Sequence, residues 1–95
     1  MPAAVRDTDV CSGHACWPSR PNDQGSPNVF INNLASHRRT DHWSIHACAS
    51  IHDSAAADGS PNVFVNNLNK CRVGDPVLCG SSMAQGSPNV FVNGG

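Results

Sequence analysis

The sequence GSPNVFINN occupies residues 25–33 and recurs as GSPNVFVNN at 59–67 and as GSPNVFVNG at 86–94. Gly-Ser-Pro favours a turn, and because proline lacks a backbone donor, a strand begins there or lies at a sheet edge. The residues that follow are β-branched or aromatic with period-two alternation, which is typical of a strand. Asn-Asn or Asn-Gly then tolerates the positive φ angles of a tight turn. Each copy therefore predicts the first strand of a hairpin.

The return strands indicate how the three hairpins are connected. Residues 34–38 and 68–72 follow the first two turns, whereas only Gly95 follows the third copy. Residues 2–6 have the character of a return strand with no hairpin before it. We therefore predict that the two ends of the chain complete one hairpin, which closes three units into a ring with adjacent termini and no end repeat to cap. The alternative is an open row of three hairpins with frayed ends.

Composition indicates a small all-β fold with long loops. The 95 residues are expected to form a single domain, residues 1–95, and they contain three phenylalanines, all within the repeats, and no tyrosine. Apolar burial is therefore expected on the hairpins, and a chain with so little core material commonly needs disulfides, a metal or a partner. No stretch has useful helical periodicity. No apolar run approaches the ~20 residues of a membrane span, so stable membrane insertion is not expected.

Charge and cysteine content favour a metal site over nucleic-acid binding or disulfides. The formal net charge is −1, and the basic residues are scattered, whereas nucleic-acid binding requires a basic patch. Arg6 and Asp7 lie where a secretory signal would be apolar, so we expect no signal peptide and synthesis in the cytoplasm. Five cysteines are an odd number, and without a secretory signal a disulfide framework is the weaker interpretation.

The loops between each return strand and the next copy can be aligned on an aspartate. The three aligned residues are Asp9, Asp41 and Asp75, followed directly by Val10, His42 and Pro76. We expect these aspartates to accept backbone hydrogen bonds that fix the start of each loop.

Ring closure would bring equivalent positions of the three loops together. The side chains that then meet are His14, His42, His46 and Cys79. Three imidazoles and one thiolate form a tetrahedral set suited to Zn²⁺. Loops with little apolar content cannot offset an ordering entropy of about 1–2 kcal/mol per residue, whereas a structural zinc contributes an apparent ~10–16 kcal/mol. We therefore predict one structural zinc per chain, bound by these four residues.

Other cysteines and histidines could compete with this set. The possible replacements are Cys11, Cys16 and Cys48. A free cysteine more commonly packs as a small buried apolar group, so that alternative stays open for all three. Cys71 lies in a return strand and is predicted to be in the core, whereas His37 and His52 are predicted to face solvent.

The chain resembles a known family. Three occurrences of G-S-P-x-V-x-(V/I)-N, together with MPAAVR at residues 1–6, resemble the PAAR-repeat proteins. The resemblance implies a small cone with pseudo-threefold symmetry and a zinc ion near its apex. The family's three-histidine, one-cysteine site corresponds here to His14, His42, His46 and Cys79. The family's usual Gly-Asp before each loop is present only as Gly74-Asp75, and threonine replaces the glycine at positions 8 and 40.

The resemblance also implies a partner: the trimeric β-helical spike of a contractile injection machine, with one chain per trimer. The face that docks on the spike would come from the three hairpins, from Val29, Phe30, Ile31, Val63, Phe64, Val65, Val90, Phe91 and Val92. Either the phenylalanines or the valine and isoleucine side chains would turn toward the partner. An uncovered apolar base would promote aggregation, so a partner is expected.

These observations favour a structural, non-enzymatic tip that caps and sharpens the spike of a phage tail or type VI secretion system and helps to pierce the target envelope. Cargo or effector proteins could travel beside it. The alternatives are a free zinc-binding adaptor module and, least favoured, a small zinc hydrolase. A catalytic zinc needs an open coordination position and usually a carboxylate base, but the chain contains no glutamate and the predicted site has four protein ligands.

Overall fold

The computed structural model describes residues 2–13, 19–48, 50–78 and 80–92, and for residues 45–48 and 50–54 it describes the backbone alone. Within these ranges the regular structure is entirely β, as predicted. The strands are β1 (Phe30–Ile31), β2 (Leu34–Ala35), β3 (His42–Cys48), β4 (Ser50–Ala55), β5 (Phe64–Val65) and β6 (Leu68–Asn69). They form three two-stranded antiparallel sheets, β1–β2, β3–β4 and β5–β6.

The first two copies of the repeat form the predicted hairpins. Phe30 lies opposite Ala35 in β1–β2, and Phe64 lies opposite Asn69 in β5–β6. The turn between β1 and β2 has φ angles of 53° and 67° at residues 32 and 33, and the turn between β5 and β6 has 53° and 66° at residues 66 and 67. Asparagine tolerates this left-handed conformation better than most residues. The predicted role of the Asn-Asn pairs is therefore confirmed.

The third copy of the repeat pairs with the start of the chain. Phe91 lies opposite Ala3 in an antiparallel bridge, and the amide of Val92 donates to the carbonyl of Pro2 (2.8 Å). The predicted pairing between the two ends is confirmed, and the described ends of the chain are neighbours. The Asn-Gly turn predicted at residues 93 and 94 lies outside the described residues.

A closed cycle of backbone hydrogen bonds joins the three return segments, and we call it the central ring. Val5 N donates to Cys71 O (3.2 Å), Cys71 N donates to His37 O (3.1 Å), and His37 N donates to Val5 O (3.2 Å). The Nζ of Lys70 donates to two carbonyls of the same ring, those of Val5 and His37 (2.5 and 3.1 Å). Each return segment therefore provides a hydrogen-bond donor for a backbone carbonyl of a neighbouring segment.

Asparagine side chains link neighbouring copies of the repeat. Asn32 accepts a hydrogen bond from Ser87 Oγ (2.6 Å) and donates one to Asn89 Oδ1 (2.9 Å). Asn66 makes the equivalent contacts with the copy at 25–33, at 2.6 and 3.0 Å. The asparagines that follow β1 and β5, Asn32 and Asn66, thus serve both the turn and the contact with the adjacent hairpin.

The second loop is more regular than the sequence indicated. It forms the long hairpin β3–β4, in which His42 lies opposite Ala55 and His46 lies opposite His52. The register shifts by one residue between Trp43 and His46, which is the signature of a β-bulge. The sequence of this segment predicts a loop, because its His, Ser and Ala residues do not give a clear strand pattern.

The core lies among the loops and return segments. Its buried side chains are Val5, Cys11, Trp43, Ala56, Cys71, Val77 and Met83. The prediction that burial would be concentrated on the hairpins is wrong, since Phe30, Phe64 and Phe91 are 58%, 54% and 50% exposed. Trp43 and Met83 supply the largest apolar volume instead, and the burial of Cys71 is confirmed.

His37 is buried, so the prediction that it faces solvent is wrong. Its ring Nδ1 lies 2.7 Å from the carbonyl of Gln24, and its edge packs against Trp43 with the ring centroids 5.2 Å apart. Because its backbone belongs to the central ring, the side chain projects into the interior. Burial lowers the pKa of His37 to about 4, and it lowers the pKa of Lys70 to about 8, since it disfavours both charged forms.

The residue before each loop aspartate generates a prediction about strain. Thr8, Thr40 and Gly74 have φ angles of 75°, 77° and 96°, a region that strongly disfavours β-branched residues. Thr40 is exposed, so its replacement loses little packing. We expect Thr40→Gly to raise the free energy of unfolding by about 0.5–1 kcal/mol, because relief of about 1–2 kcal/mol of strain exceeds the cost of glycine flexibility.

The matched control for this substitution is Gly74→Thr. A Cβ at Gly74 would meet no atom within 4 Å, so the change isolates the backbone conformation. Urea denaturation should show Gly74→Thr destabilised by about 1 kcal/mol or more. A less stable Thr40→Gly protein would contradict this account.

His37 also predicts how stability depends on pH. With a pKa of about 4 in the folded protein and 6.5 when unfolded, the unfolded chain takes up a proton that the folded protein excludes. The free energy of unfolding should therefore fall by about 3 kcal/mol as the pH falls from 6.5 to 4. His37→Phe should be less stable at pH 7, because the carbonyl of Gln24 loses a donor, but should lack this component of the pH dependence. The free energy of unfolding of both proteins can be measured by urea denaturation at each pH. If it changed equally with pH in the two proteins, His37 would not be the source.

Candidate functional site

Each of the three loops begins with an ion pair between an arginine and the aspartate three residues later. The pairs are Arg6–Asp9, Arg38–Asp41 and Arg72–Asp75. In all three, the aspartate Oδ2 accepts a hydrogen bond from the arginine backbone amide at 2.8 Å. The prediction that these aspartates fix the start of each loop is confirmed. Hydrogen bonds to the carboxylate raise the pKa of each guanidinium.

The residue after each aspartate pairs with the end of another loop through a backbone hydrogen bond. The three bonds run from Asp23 N to His42 O (3.2 Å), from Ala57 N to Pro76 O (3.0 Å) and from Ala84 N to Val10 O (3.0 Å). The alignment of Val10, His42 and Pro76 made from the sequence therefore corresponds to a recurring contact. It places His42 at the first position of β3, beside the segment that precedes the first copy of the repeat.

His42 is held on both its backbone and its ring. The backbone amide of His42 donates to Gln24 Oε1 (2.9 Å), and the ring Nδ1 of His42 lies 2.7 Å from Asp23 Oδ1. A carboxylate only accepts hydrogen bonds, so Nδ1 carries the proton in this contact and Nε2 is the ring nitrogen suited to a metal. The side chains of His42 and Asp23 are 39% and 49% exposed, so the pair lies at the surface and not in the core.

The other predicted metal ligands fall where the structure gives no side-chain geometry. His14 and Cys79 lie outside the described residues, and His46 is described by its backbone alone. Among the side chains that are described, no group of three or more His, Cys, Asp or Glu residues is close enough to hold a metal. The donor set of imidazoles and a thiolate suits zinc, and the ring of His42 is held with Nδ1 engaged, as is common for histidines that bind a metal. The four-residue site stays a prediction.

Of the other cysteines, the structure describes the side chains of two and not those of the other two. Cys11 is fully buried in the apolar core, which favours the packing role, and its Sγ also accepts a hydrogen bond from Arg20 N (3.4 Å). Cys71 is also buried, and burial raises the pKa of its thiol, so it is not a thiolate at neutral pH. Cys16 lies outside the described residues, and Cys48 is described by its backbone alone.

A second candidate site is the surface formed by Phe30, Phe64 and Phe91, which we call the phenylalanine face. Each is at least half exposed, although large aromatic side chains are usually buried. Val29 and Val90, which precede two of them, are also exposed, whereas Val65 and Val92, which follow two of them, are buried. Ile31 and Val63 are half-buried. Phenylalanine therefore points outward in all three copies, and the residue after it is more buried, most so at Val65 and Val92.

Two site residues were missed by sequence reasoning, Asp23 and Gln24. Gln24 and Gln85, each directly before a copy of the repeat, accept hydrogen bonds from the amides of His42 and Val10. The third loop has Pro76 at the equivalent position, which has no amide hydrogen, and Asp58 occurs in place of glutamine. This correlated change was present in the sequence and could have located the contact.

Comparison with known proteins identifies the family of this chain. Within the part of the chain that the structure describes, no helix is long and apolar enough to cross a membrane. A comparison with curated proteins found no match. The family model for the PAAR motif matches residues 12–84, a span that contains the first two copies of the repeat and all four predicted ligands. The chain belongs to the PAAR family.

Proposed function

We propose that this protein is the tip of a trimeric β-helical spike in a contractile injection machine, either a phage tail or a type VI secretion system. Proteins of the PAAR family are structural spike-tip proteins of such machines. The observation that carries the proposal is the central ring, in which Val5, His37 and Cys71 donate to one another in a closed cycle. A cyclic arrangement of three similar units suits the end of a trimer.

The proposed tip is a cone with pseudo-threefold symmetry, and one chain caps one trimer. Hydrogen bonds at equivalent positions support this symmetry. The valine before each phenylalanine accepts a backbone hydrogen bond on its carbonyl at 2.9 Å, and the donors are the amides of Ser36, Lys70 and Ala4. A single chain with three similar faces offers each spike subunit the same contact, which is the complementarity that a symmetric partner requires.

The proposed docking base is the phenylalanine face, together with the exposed valines beside it. The strands and turns at 27–33 and 61–67 contain no charged residue, so the surface is apolar with polar asparagine at its margin. Exposed aromatic groups of this kind mark interaction sites more often than free surface. Covering them with the end of the spike would remove apolar area from water and terminate the β-structure of the spike.

The proposed zinc centre uses His14 from the first loop, His42 and His46 from the second, and Cys79 from the third. When bound, the ion supplies a cross-link between loops that have little apolar area of their own. Four protein ligands leave no coordination position for a water nucleophile, so the role is structural. The tip would thereby be stiff at the end opposite the docking base, where the force on the target envelope is concentrated.

Docking can be tested by co-purification with candidate trimeric spike proteins. We expect the wild-type chain to co-purify at one chain per trimer and the triple variant Phe30→Ser, Phe64→Ser, Phe91→Ser to lose at least tenfold in affinity. The control is Leu78→Ser, which changes a side chain that is 70% exposed but lies outside the hairpins. Retention of binding by a folded triple variant would exclude the phenylalanine face as the base.

Zinc content provides a separate test. Elemental analysis should find about one zinc per chain in the wild type and little in the double variant His42→Ala, His46→Ala, which should also melt at a lower temperature because the metal contribution is lost. Cys16→Ser should keep its zinc if Cys79 is the thiolate ligand. A wild-type protein without metal would disprove the zinc centre. Loss of zinc in Cys16→Ser would show that Cys16, and not Cys79, is the thiolate ligand.

A further inference from the structure

We propose that Asp23 is a positioning residue of the metal centre: its carboxylate holds the His42 imidazole in the tautomer and orientation that present Nε2 to the zinc ion. The inference rests on the proposed zinc site, because His42 must be a ligand for the contact to act in this way. Asp23 is not among the predicted ligands and belongs to a different segment of the chain.

The contact itself has the geometry that such a role requires. Asp23 Oδ1 lies 2.7 Å from His42 Nδ1, a short distance typical of a hydrogen bond to a charged acceptor. Backbone and side-chain bonds hold the two segments in register, since Asp23 N donates to His42 O (3.2 Å) and His42 N donates to Gln24 Oε1 (2.9 Å). Metal-bound histidines commonly donate their second ring nitrogen to a carboxylate, which fixes the ring and increases its basicity.

The three loops provide an internal comparison that separates this role from a general structural one. Ala57 and Ala84 occupy the positions equivalent to Asp23 and make the same backbone hydrogen bond, to Pro76 and Val10 respectively. The loop contact therefore forms without a carboxylate. Among the three equivalent positions, aspartate occurs only opposite His42, whereas alanine lies opposite Val10 and Pro76, so the carboxylate is matched to the ring of His42 and is not needed for the loop contact.

A surface ion pair is the competing explanation, and it makes a different prediction. Both side chains are substantially exposed, and exposed pairs contribute little to stability. A stability measurement therefore cannot distinguish the two explanations. The zinc affinity of the folded protein can, because only a positioning role makes metal binding depend on Asp23.

The experiment uses the full chain loaded with zinc and measures affinity by competition with a chelator at constant pH. We expect Asp23→Ala to bind zinc 10- to 100-fold more weakly, as is typical when the hydrogen-bond partner of a metal ligand is lost. Asp23→Asn keeps an acceptor oxygen and should recover part of the affinity. Asp7→Ala removes the same charge from a different segment and should stay within about twofold of the wild type, since it changes only the general electrostatic attraction.

Nuclear magnetic resonance of histidine ring nitrogens supplies a readout that a merely structural role would not change. The zinc-loaded wild type should show His42 bound through Nε2 with a hydrogen-bonded Nδ1 proton, and Asp23→Ala should lose that proton signal. Alanine occurs naturally at the two equivalent positions, so this variant is expected to fold, which circular dichroism can verify.

The outcomes separate the inference from the proposal on which it rests. Zinc bound by the wild type and by Asp23→Ala with equal affinity would overturn the positioning role and leave the zinc centre intact. A wild type that binds no zinc would overturn both. Weaker binding by Asp23→Ala, with Asp7→Ala unchanged, would support both.

Discussion

The central ring is the constraint on which the rest of the structure depends. Val5, His37 and Cys71 belong to three segments that are distant in sequence, and each satisfies the backbone carbonyl of another. A buried backbone group without a partner is costly, so the removal of any one segment would leave unpaired groups on the other two. The cycle therefore makes the three hairpins interdependent, and it requires the start of the chain to serve as the return strand of the last repeat.

The interior around the ring is unusually polar for so small a protein. Lys70 and His37 are buried beside the ring, and the carboxylates of Asp9, Asp41 and Asp75 are buried at the loop heads. Hydrogen bonds to backbone and to arginine compensate most of this cost, whereas the apolar core has few large side chains apart from Trp43 and Met83. The interior therefore depends on these directed hydrogen bonds being made, because a buried polar group without a partner is costly.

Much of the fold could be predicted because the repeat makes each local feature visible three times. The hairpins, the Asn-Asn turns, the pairing of the chain ends and the role of the loop aspartates all follow from residues that recur at fixed spacing. The inward position of His37, the β3–β4 hairpin and the exposure of the phenylalanines could not be predicted, because they depend on which side chains fill a shared interior. Trp43 fills part of that interior, while Phe30, Phe64 and Phe91 stay exposed. The ligand set follows from the loop alignment alone, so it stays a prediction.

The pairing of Val92 with Pro2 makes the position of the chain break arbitrary within this architecture. A short linker between those two residues and an opening at the turn of residues 32 and 33 would yield a circularly permuted polypeptide with the same set of backbone partners available. Segments attached before Pro2 and after Val92 would start from neighbouring points of the fold.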